Sequence, residues 1–206
     1  MSLQIDNRVL IPRPETEILV NKAIIEIKKF KNQKNIQCLD VGTGSGAIAI
    51  SIAKEIDNIN IVATDISTNA LEIARLNVRK YKLDSKITLK QDNLIESIKF
   101  KPDIIVANLP YIPTDRIDQL SPEVRSEPRT ALDGGQDGMD QLGRLLSQSA
   151  TKLAPMGTVL LEIDPGQSLG LKKATMGLFG DAMISIEQDL AGLERLFVLE
   201  LPSEDS

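Results

Sequence analysis

Histidine and tryptophan are absent from the 206-residue sequence, and cysteine occurs once, at Cys38. Without histidine, imidazole acid–base catalysis, Ser-His-Asp triads and histidine-rich metal sites are excluded. Cys38 lies inside an apolar segment and has no second cysteine to pair with, so we expect a buried thiol in a reducing compartment rather than a nucleophile. Any chemistry has to use other side chains or a cofactor.

Positive charge and long apolar runs are also scarce. The sequence has 24 Lys and Arg residues and 29 Asp and Glu residues, so its net charge is −5. This negative charge argues against a domain that binds a nucleic-acid backbone. No apolar run approaches the length of a membrane span, and the first residues lack a signal-peptide pattern, so we expect no membrane partner and a cytoplasmic location. Apolar residues make up 42% of the chain, enough for the core of one domain.

Short apolar strands alternate with helical patterns along the chain. Helices are predicted from Pro14 to about Lys29, from Ile48 onward, over 67–80, over 139–153 and after Gln167, because apolar residues recur there at helical spacing. Strands are predicted at 36–41, 59–64, 87–89, 103–107, 158–163, 183–187 and 197–201. This alternation predicts an α/β fold with a mostly parallel seven-stranded sheet, closed by an antiparallel pair of the last two strands.

A glycine loop links the first strand to the next helix and contains Gly42, Thr43, Gly44, Ser45 and Gly46. Glycine permits a tight turn and a close approach of the backbone to a ligand, and the N–H groups of a new helix favour an electronegative group. The spacing also satisfies the dinucleotide fingerprint, so a nicotinamide oxidoreductase is one interpretation.

Polar residues follow the next two strands where each strand ends. Asp65 comes 19 residues after Gly46, where an acid can accept hydrogen bonds from both ribose hydroxyls of an adenosine-type ligand. The alternative is that Asp65 caps the helix near Ser67. Asp92 and Asn93 follow the third strand and could contact an adenine.

The fourth strand ends in Asn108, Leu109, Pro110 and Tyr111, which present an amide, a main-chain carbonyl, a rigid ring and an aromatic face. Asn and Pro are also ordinary turn residues, so these four residues alone indicate a turn as readily as a site. Since ligands of open α/β sheets bind outside the carboxyl ends of the strands, the convergence of several polar strand ends favours a site.

Two further segments carry charge near this edge. Residues 112–138 are rich in Pro, Gly and charged residues, which indicates a flap over the crevice or, alternatively, a flexible linker. Arg13 and Glu15 mark either a solvated helix N-terminus or a position on the cofactor side.

The sequence resembles the catalytic domain of the protein-(glutamine-N5) methyltransferases of peptide chain release factors, the HemK/PrmC family. The resemblance rests on six motifs: Val9 to Glu17 (Val-Leu-Ile-Pro-Arg-Pro-Glu-Thr-Glu), Asp40 to Gly46, Asn108 to Pro113, Glu127-Pro128-Arg129, Leu132 to Gly135, and Asp189 to Gly192. It implies the Rossmann-like fold of class I S-adenosylmethionine-dependent methyltransferases and a release factor as the protein partner.

The resemblance also implies roles for individual residues. S-adenosylmethionine would be bound by the glycine loop, by polar residues at the strand ends and by the side chain of Asn108. These residues are Gly42, Thr43, Gly44, Ser45, Gly46, Asp65, Ile66, Asp92, Asn93 and Asn108. The side chain of Asn108 and the carbonyl of Leu109 would hold the substrate glutamine amide, with Pro110 giving rigidity and Tyr111 packing against it.

Two departures from the family pattern leave other interpretations open. Leu109 replaces the first proline of the family's Asn-Pro-Pro-Tyr motif, and Asn-Leu-Pro-Tyr also resembles the motif of adenine-N6 dimethyltransferases that act on ribosomal RNA. The chain begins almost at the Arg-Pro-Glu-Thr-Glu motif, so we expect residues 1–206 to form the catalytic domain without the family's helical N-terminal domain. A catalytically silent protein that binds S-adenosylmethionine is a third interpretation.

Overall fold

The computed structural model describes residues 1–30 and 35–202. Six α-helices in these ranges are α1 (Thr16–Lys29), α2 (Ala47–Glu55), α3 (Thr68–Lys80), α4 (Pro122–Arg125), α5 (Asp140–Ser149) and α6 (Ser168–Thr175). The strands are β1 (Ile36–Val41), β2 (Ile59–Asp65), β3 (Ile87–Gln91), β4 (Ile104–Ala107), β5 (Thr158–Glu162), β6 (Met183–Gln188) and β7 (Glu194–Glu200). No helix in the described ranges is long and apolar enough to cross a membrane.

One seven-stranded sheet runs through the molecule in the order β3-β2-β1-β4-β5-β7-β6. The pairs among β1 to β5 are parallel, and β7 is antiparallel to both of its neighbours, β5 and β6. The predicted fold class is confirmed, and the antiparallel strand lies inside the sheet rather than at its edge. The strand order reverses between β1 and β4, which is where open α/β sheets place their ligands.

Both faces of the sheet are covered by helices. Successive residues of β1 point to opposite faces: Cys38 joins the core under α1 and α2, while Leu39 joins the core under α5 and α6. Both residues are fully buried, and burial raises the pKa of the Cys38 thiol well above its ordinary value. The expectation of a buried thiol is therefore confirmed.

Most differences from the predicted boundaries lie at the ends of elements. Ser67 is the N-cap of α3, because its side chain accepts a hydrogen bond from the Ala70 N–H at 3.2 Å. Helix α5 ends at Ser149, four residues earlier than predicted. Strand β7 begins at Glu194, three residues earlier than predicted, because its charged start pairs with Gln188 in the hairpin with β6.

The segment 112–138 is fastened at its base. The Ile112 N–H donates to the Leu132 carbonyl at 3.1 Å, and the Gly134 N–H donates to the Ile112 carbonyl at 2.9 Å. Between these ties it forms two 3₁₀ turns and the short helix α4. These contacts favour a covering segment over a linker.

Candidate active site

Glycines shape the loop between β1 and α2. Gly42, Gly44 and Gly46 have φ values of +73°, +54° and +82°, which other residues rarely adopt. The N–H groups of Gly42 and Thr43 both donate to the Thr64 carbonyl at 2.9 Å, so the loop is tied to the end of β2. A β-carbon at Gly46 would lie 3.5 Å from Ala74 of α3, an ordinary contact distance, so the φ of +82° rather than crowding favours glycine here.

Asp65, the last residue of β2, is attached to the same loop. Its Oδ2 accepts from the Gly44 N–H at 2.9 Å, and its Oδ1 accepts from the Ser67 N–H at 2.9 Å. Burial raises the pKa of this carboxyl, and the two N–H donors oppose the shift. Ser67 rather than Asp65 is the N-cap of α3, and Asp65 lines the crevice.

Asp92 and Asn93 stand beside the end of β3 and form a turn. Asp92 accepts from the Asn93 N–H at 2.9 Å and from the Ser97 hydroxyl at 2.6 Å. Asn93 donates through Nδ2 to the Glu96 carboxylate at 2.7 Å. Both residues reach the crevice, with Asp92 supporting the turn that carries Asn93.

A cavity of about 880 Å³ lies over these strand ends. Its size suits a nucleoside-sized ligand. The residues predicted from sequence that line it are Gly42, Thr43, Gly44, Ser45, Asp65, Ile66, Asp92, Asn93, Asn108, Leu109 and Pro110. Gly46 and Tyr111 are not among its lining residues, because Gly46 packs under the loop and Tyr111 faces elsewhere.

Asn108 follows β4 and has its amide oriented by a neighbour. Asn108 Nδ2 donates to the Thr16 hydroxyl at 3.1 Å, across 92 residues of sequence. Among the described residues, no N–H or O–H group donates to Asn108 Oδ1 or to the Leu109 carbonyl. The crevice therefore offers two adjacent acceptors for a ligand with two N–H groups.

Glu162, the last residue of β5, was not predicted as a site residue, although it lies only 2% exposed behind Asn108. Its Oε2 accepts from the Thr16 hydroxyl at 2.8 Å and its Oε1 accepts from the Tyr111 hydroxyl at 3.3 Å. Burial raises the pKa of Glu162, and both burial and this carboxylate raise the pKa of Tyr111. A polar residue at the end of a buried strand, the signal that found Asp65, also marks Glu162.

A smaller cavity of about 100 Å³ lies on the other side of Asn108. Tyr111 lines this cavity, together with Leu10, Arg13, Val124 and Leu132. Asn108 and Leu109 line both cavities, as do Leu10 and Ala131, so the two cavities adjoin at these four residues. A ligand in the large cavity and a side chain in the small one would meet at these residues.

The turn after Asn108 is held against the segment 112–138. Gln167 Nε2 donates to the Tyr111 carbonyl at 2.9 Å and to the Gly138 carbonyl at 3.1 Å. A β-carbon at Gly134 would lie 2.7 Å from the Pro110 carbonyl oxygen, so the Asp-Gly-Gly motif permits this close packing. Gln167 is a second residue that the sequence did not mark.

Arg13 has a structural partner. Its guanidinium pairs with the Glu127 carboxylate at 2.7 Å, which joins the Arg-Pro-Glu-Thr-Glu motif to the Glu-Pro-Arg motif. Glu15 is exposed and does not line either cavity. Arg13 thus lies at the small cavity, and Glu15 at a solvated helix N-terminus.

The described residues contain no group of three or more Cys, Asp or Glu side chains placed to hold a metal ion. The strand order, the glycine loop, the acid after β2 and the Asn-Leu-Pro-Tyr turn after β4 define a class I S-adenosylmethionine-dependent methyltransferase. The residues present fit that cofactor, because the glycine loop admits close approach and Asp65 supplies an acceptor where a ribose would lie.

Comparison with known proteins narrows the class. Residues 22–123 match the family model of the methyltransferase small domain. The chain is 39% identical over 204 residues to the release factor glutamine methyltransferase of Rhodopirellula baltica, covering 97% of this chain and 69% of the relative. It is 39% identical over 199 residues to the enzyme of that name from Moorella thermoacetica, covering 96% of this chain and 69% of the relative. This chain belongs to the release factor glutamine methyltransferase family.

The solved structures agree with the fold. The hMettl16 catalytic domain in complex with MAT2A 3'UTR hairpin 6 superposes with a TM-score of 0.76 at 15% identity, covering 98% of this chain and 76% of that one. Because the sequence identity is this low, the similarity supports the fold and not a shared function. Family membership favours the glutamine interpretation over the adenine, nicotinamide and silent-binding interpretations.

Proposed function

We propose that this chain transfers a methyl group from S-adenosylmethionine to the side-chain amide nitrogen of the glutamine in the Gly-Gly-Gln motif of a peptide chain release factor. The observation that carries the proposal is the pair of acceptors, Asn108 Oδ1 and the Leu109 carbonyl, on the boundary between a cofactor-sized cavity and a small cavity. A primary amide has two N–H groups to give to them.

A carboxamide nitrogen is a poor nucleophile, because its lone pair is delocalised into the carbonyl. S-adenosylmethionine supplies a methyl group on a positively charged sulfur, which is already activated for displacement. In our proposal a bond forms from the nitrogen to the methyl carbon while the carbon–sulfur bond breaks. The sulfur keeps the electron pair of that bond and becomes a neutral thioether, and the nitrogen releases one proton to solvent water. Holding both N–H groups in hydrogen bonds aims the nitrogen, and positioning of this kind lowers a barrier by several kcal/mol without a histidine base.

The small cavity supports a protein substrate with a slender side chain. Its walls are mostly apolar, formed by Leu10, Val124 and Leu132 besides Tyr111. Such walls can hold the methylene groups of a glutamine while its amide reaches Asn108. The segment 112–138 supplies one wall, so the protein partner would lie along it.

Mass spectrometry of the release-factor peptide tests the proposal. The protein is incubated with S-adenosylmethionine and a release factor, and the tryptic fragment with the Gly-Gly-Gln motif should gain the mass of one added methylene group. A release factor with alanine in place of that glutamine is the matched control. Methyl transfer to ribosomal RNA in a parallel reaction, with no gain on the peptide, would overturn the proposal in favour of adenine.

A further inference from the structure

The buried carboxylate of Glu162 connects the first residue of α1 with the turn after β4, both far from it in sequence. Its Oε2 accepts from Thr16, 146 residues away, and its Oε1 accepts from Tyr111. Thr16 in turn accepts from Asn108 Nδ2 at 3.1 Å. The four side chains therefore form one continuous line of hydrogen bonds.

The direction of this line follows from counting protons. An ionised carboxylate can only accept, so the Thr16 hydroxyl must give its single proton to Glu162. The Thr16 oxygen is then left with lone pairs alone and can only accept from Asn108. Asn108 must turn its NH₂ group toward Thr16, which turns Oδ1 away from it.

We propose that Glu162 is a positioning residue, which through Thr16 fixes the orientation of the Asn108 amide so that Oδ1 rather than Nδ2 meets the substrate. The inference rests on the proposed methyl transfer to a glutamine amide. A flipped Asn108 would present N–H donors to the N–H groups of the substrate, and the amide would be repelled instead of held.

The surroundings of Glu162 are consistent with an acceptor. Burial raises its pKa, whereas the Thr16 and Tyr111 hydroxyls and the Arg195 guanidinium on β7 favour the ionised form. The negative charge of Glu15, before α1, raises the pKa of Glu162, whereas the positive charge of Arg195 lowers it. Each of the two hydroxyl donors would lose its acceptor if the carboxylate were replaced by an apolar group.

Two isosteric substitutions test the direction of the line. In Glu162→Gln, the new amide can donate to Thr16, which frees the Thr16 proton for Asn108 Oδ1 and permits the flip. Thr16→Val keeps the shape and removes the hydroxyl. We expect each variant to lower kcat for release-factor methylation by about a hundredfold. The Kd of Glu162→Gln for S-adenosylhomocysteine, measured by calorimetry, should stay within about threefold, because Glu162 lines neither cavity.

Controls separate positioning from packing. Thr16→Ser keeps the hydroxyl and should restore most of the rate that Thr16→Val loses. Ser149→Ala removes another buried hydroxyl, on α5, which donates to the Leu145 carbonyl away from the site, and should leave kcat unchanged. In the double variant with both Thr16→Val and Glu162→Gln, kcat should fall no further than in either single variant. Losing one hydrogen bond in the line from Asn108 to Glu162 already leaves the Asn108 amide free to flip.

The outcomes are distinguishable. If the wild-type protein fails to methylate the release factor, the proposed function is wrong. If the wild type is active and Glu162→Gln or Thr16→Val retains its kcat, the positioning role is wrong. A Thr16→Ser variant as slow as Thr16→Val, or additive losses in the double variant, would equally overturn it in favour of packing.

Discussion

The Leu109 side chain occupies the space that a side chain at Gly42 would need. The Leu109 Cδ2 atom lies 2.8 Å from the position of a β-carbon on Gly42, closer than such carbons normally approach. Leu109 is almost fully buried, so the residue that replaces a family proline serves as a core residue between the glycine loop and the turn after β4. The cofactor loop and the substrate-side turn are thus packed directly against each other.

The first prediction is that Gly42→Ala lowers the unfolding free energy by about 2 kcal/mol or more. The φ of +73° costs an L-residue about 1–2 kcal/mol, and the contact with Leu109 adds to it. Gly143→Ala is the matched control: it lies in α5 with no atom within 4 Å of the added carbon, so it should stabilise by up to about 1 kcal/mol. Urea denaturation measures both changes.

A double variant isolates the contact between these residues. Leu109→Ala alone should cost about 2–5 kcal/mol through the cavity it leaves. Combined with Gly42→Ala, the total should fall short of the sum by about 1 kcal/mol, since the smaller side chain removes the overlap. Strict additivity would show that the loop relaxes without touching Leu109.

The second prediction concerns Asn108. Asn108→Ala removes the side-chain acceptor and should abolish methyl transfer to the release-factor peptide. Cofactor affinity should stay within about tenfold, or about 1.4 kcal/mol, when titrated by calorimetry. Equal losses of transfer and of cofactor affinity would instead make Asn108 a cofactor ligand.

The third prediction is a pH dependence of stability that originates at Asp40. Burial raises the pKa of this carboxyl from 3.8 to about 6, against the bonds it accepts from Thr43 and Ala49. Since the folded state binds the proton more tightly than the unfolded chain, Asp40 favours folding most at low pH. That contribution is lost as the pH rises from about 4 to about 6, by about 3 kcal/mol in total.

Asp40→Asn removes this titration and keeps an oxygen to accept from Thr43 and Ala49. The unfolding free energy of each protein is measured without cofactor at about pH 4 and at about pH 7. The value for the variant minus the value for the wild type should be about 3 kcal/mol larger at the higher pH. A difference between the two proteins that stays constant with pH would place the titration elsewhere.

The fourth prediction is that Gln167→Ala destabilises the protein by about 2 kcal/mol, because it leaves the partly buried Tyr111 carbonyl and the buried Gly138 carbonyl without their donor. Gln119→Ala is the control, since Gln119 is exposed and bonds only locally to the Asp115 carbonyl. It should change the unfolding free energy by less than about 0.5 kcal/mol. If the two variants lower the unfolding free energy equally, the hydrogen bonds of Gln167 do not stabilise the turn after β4.

Local patterns were sufficient to predict the sheet and one side of the site. A short apolar run followed by a polar residue is visible in sequence, and it located Asp65, Asp92 and Asn108 at the carboxyl ends of three strands. The glycine loop was predicted for the same reason, since the backbone conformation it adopts requires glycine at fixed spacing.

The remaining site residues depend on contacts that no local pattern contains. Thr16 and Glu162 meet across 146 residues, and Gln167 reaches Tyr111 across 56. Tertiary packing decides these positions, and it also sets where α5 ends and β7 begins.

Strand β7 fills the gap between β5 and β6, although it is the last of the seven strands to be made. Leu196 of β7 pairs with Glu162, so during synthesis the strand that carries Glu162 has an open edge until the final strand leaves the ribosome. The strand that carries this carboxylate is therefore enclosed on that side only after β7 has joined the sheet. A chain without β7 would hold the glycine loop and Asn108 but would lack the strand that pairs beside Glu162.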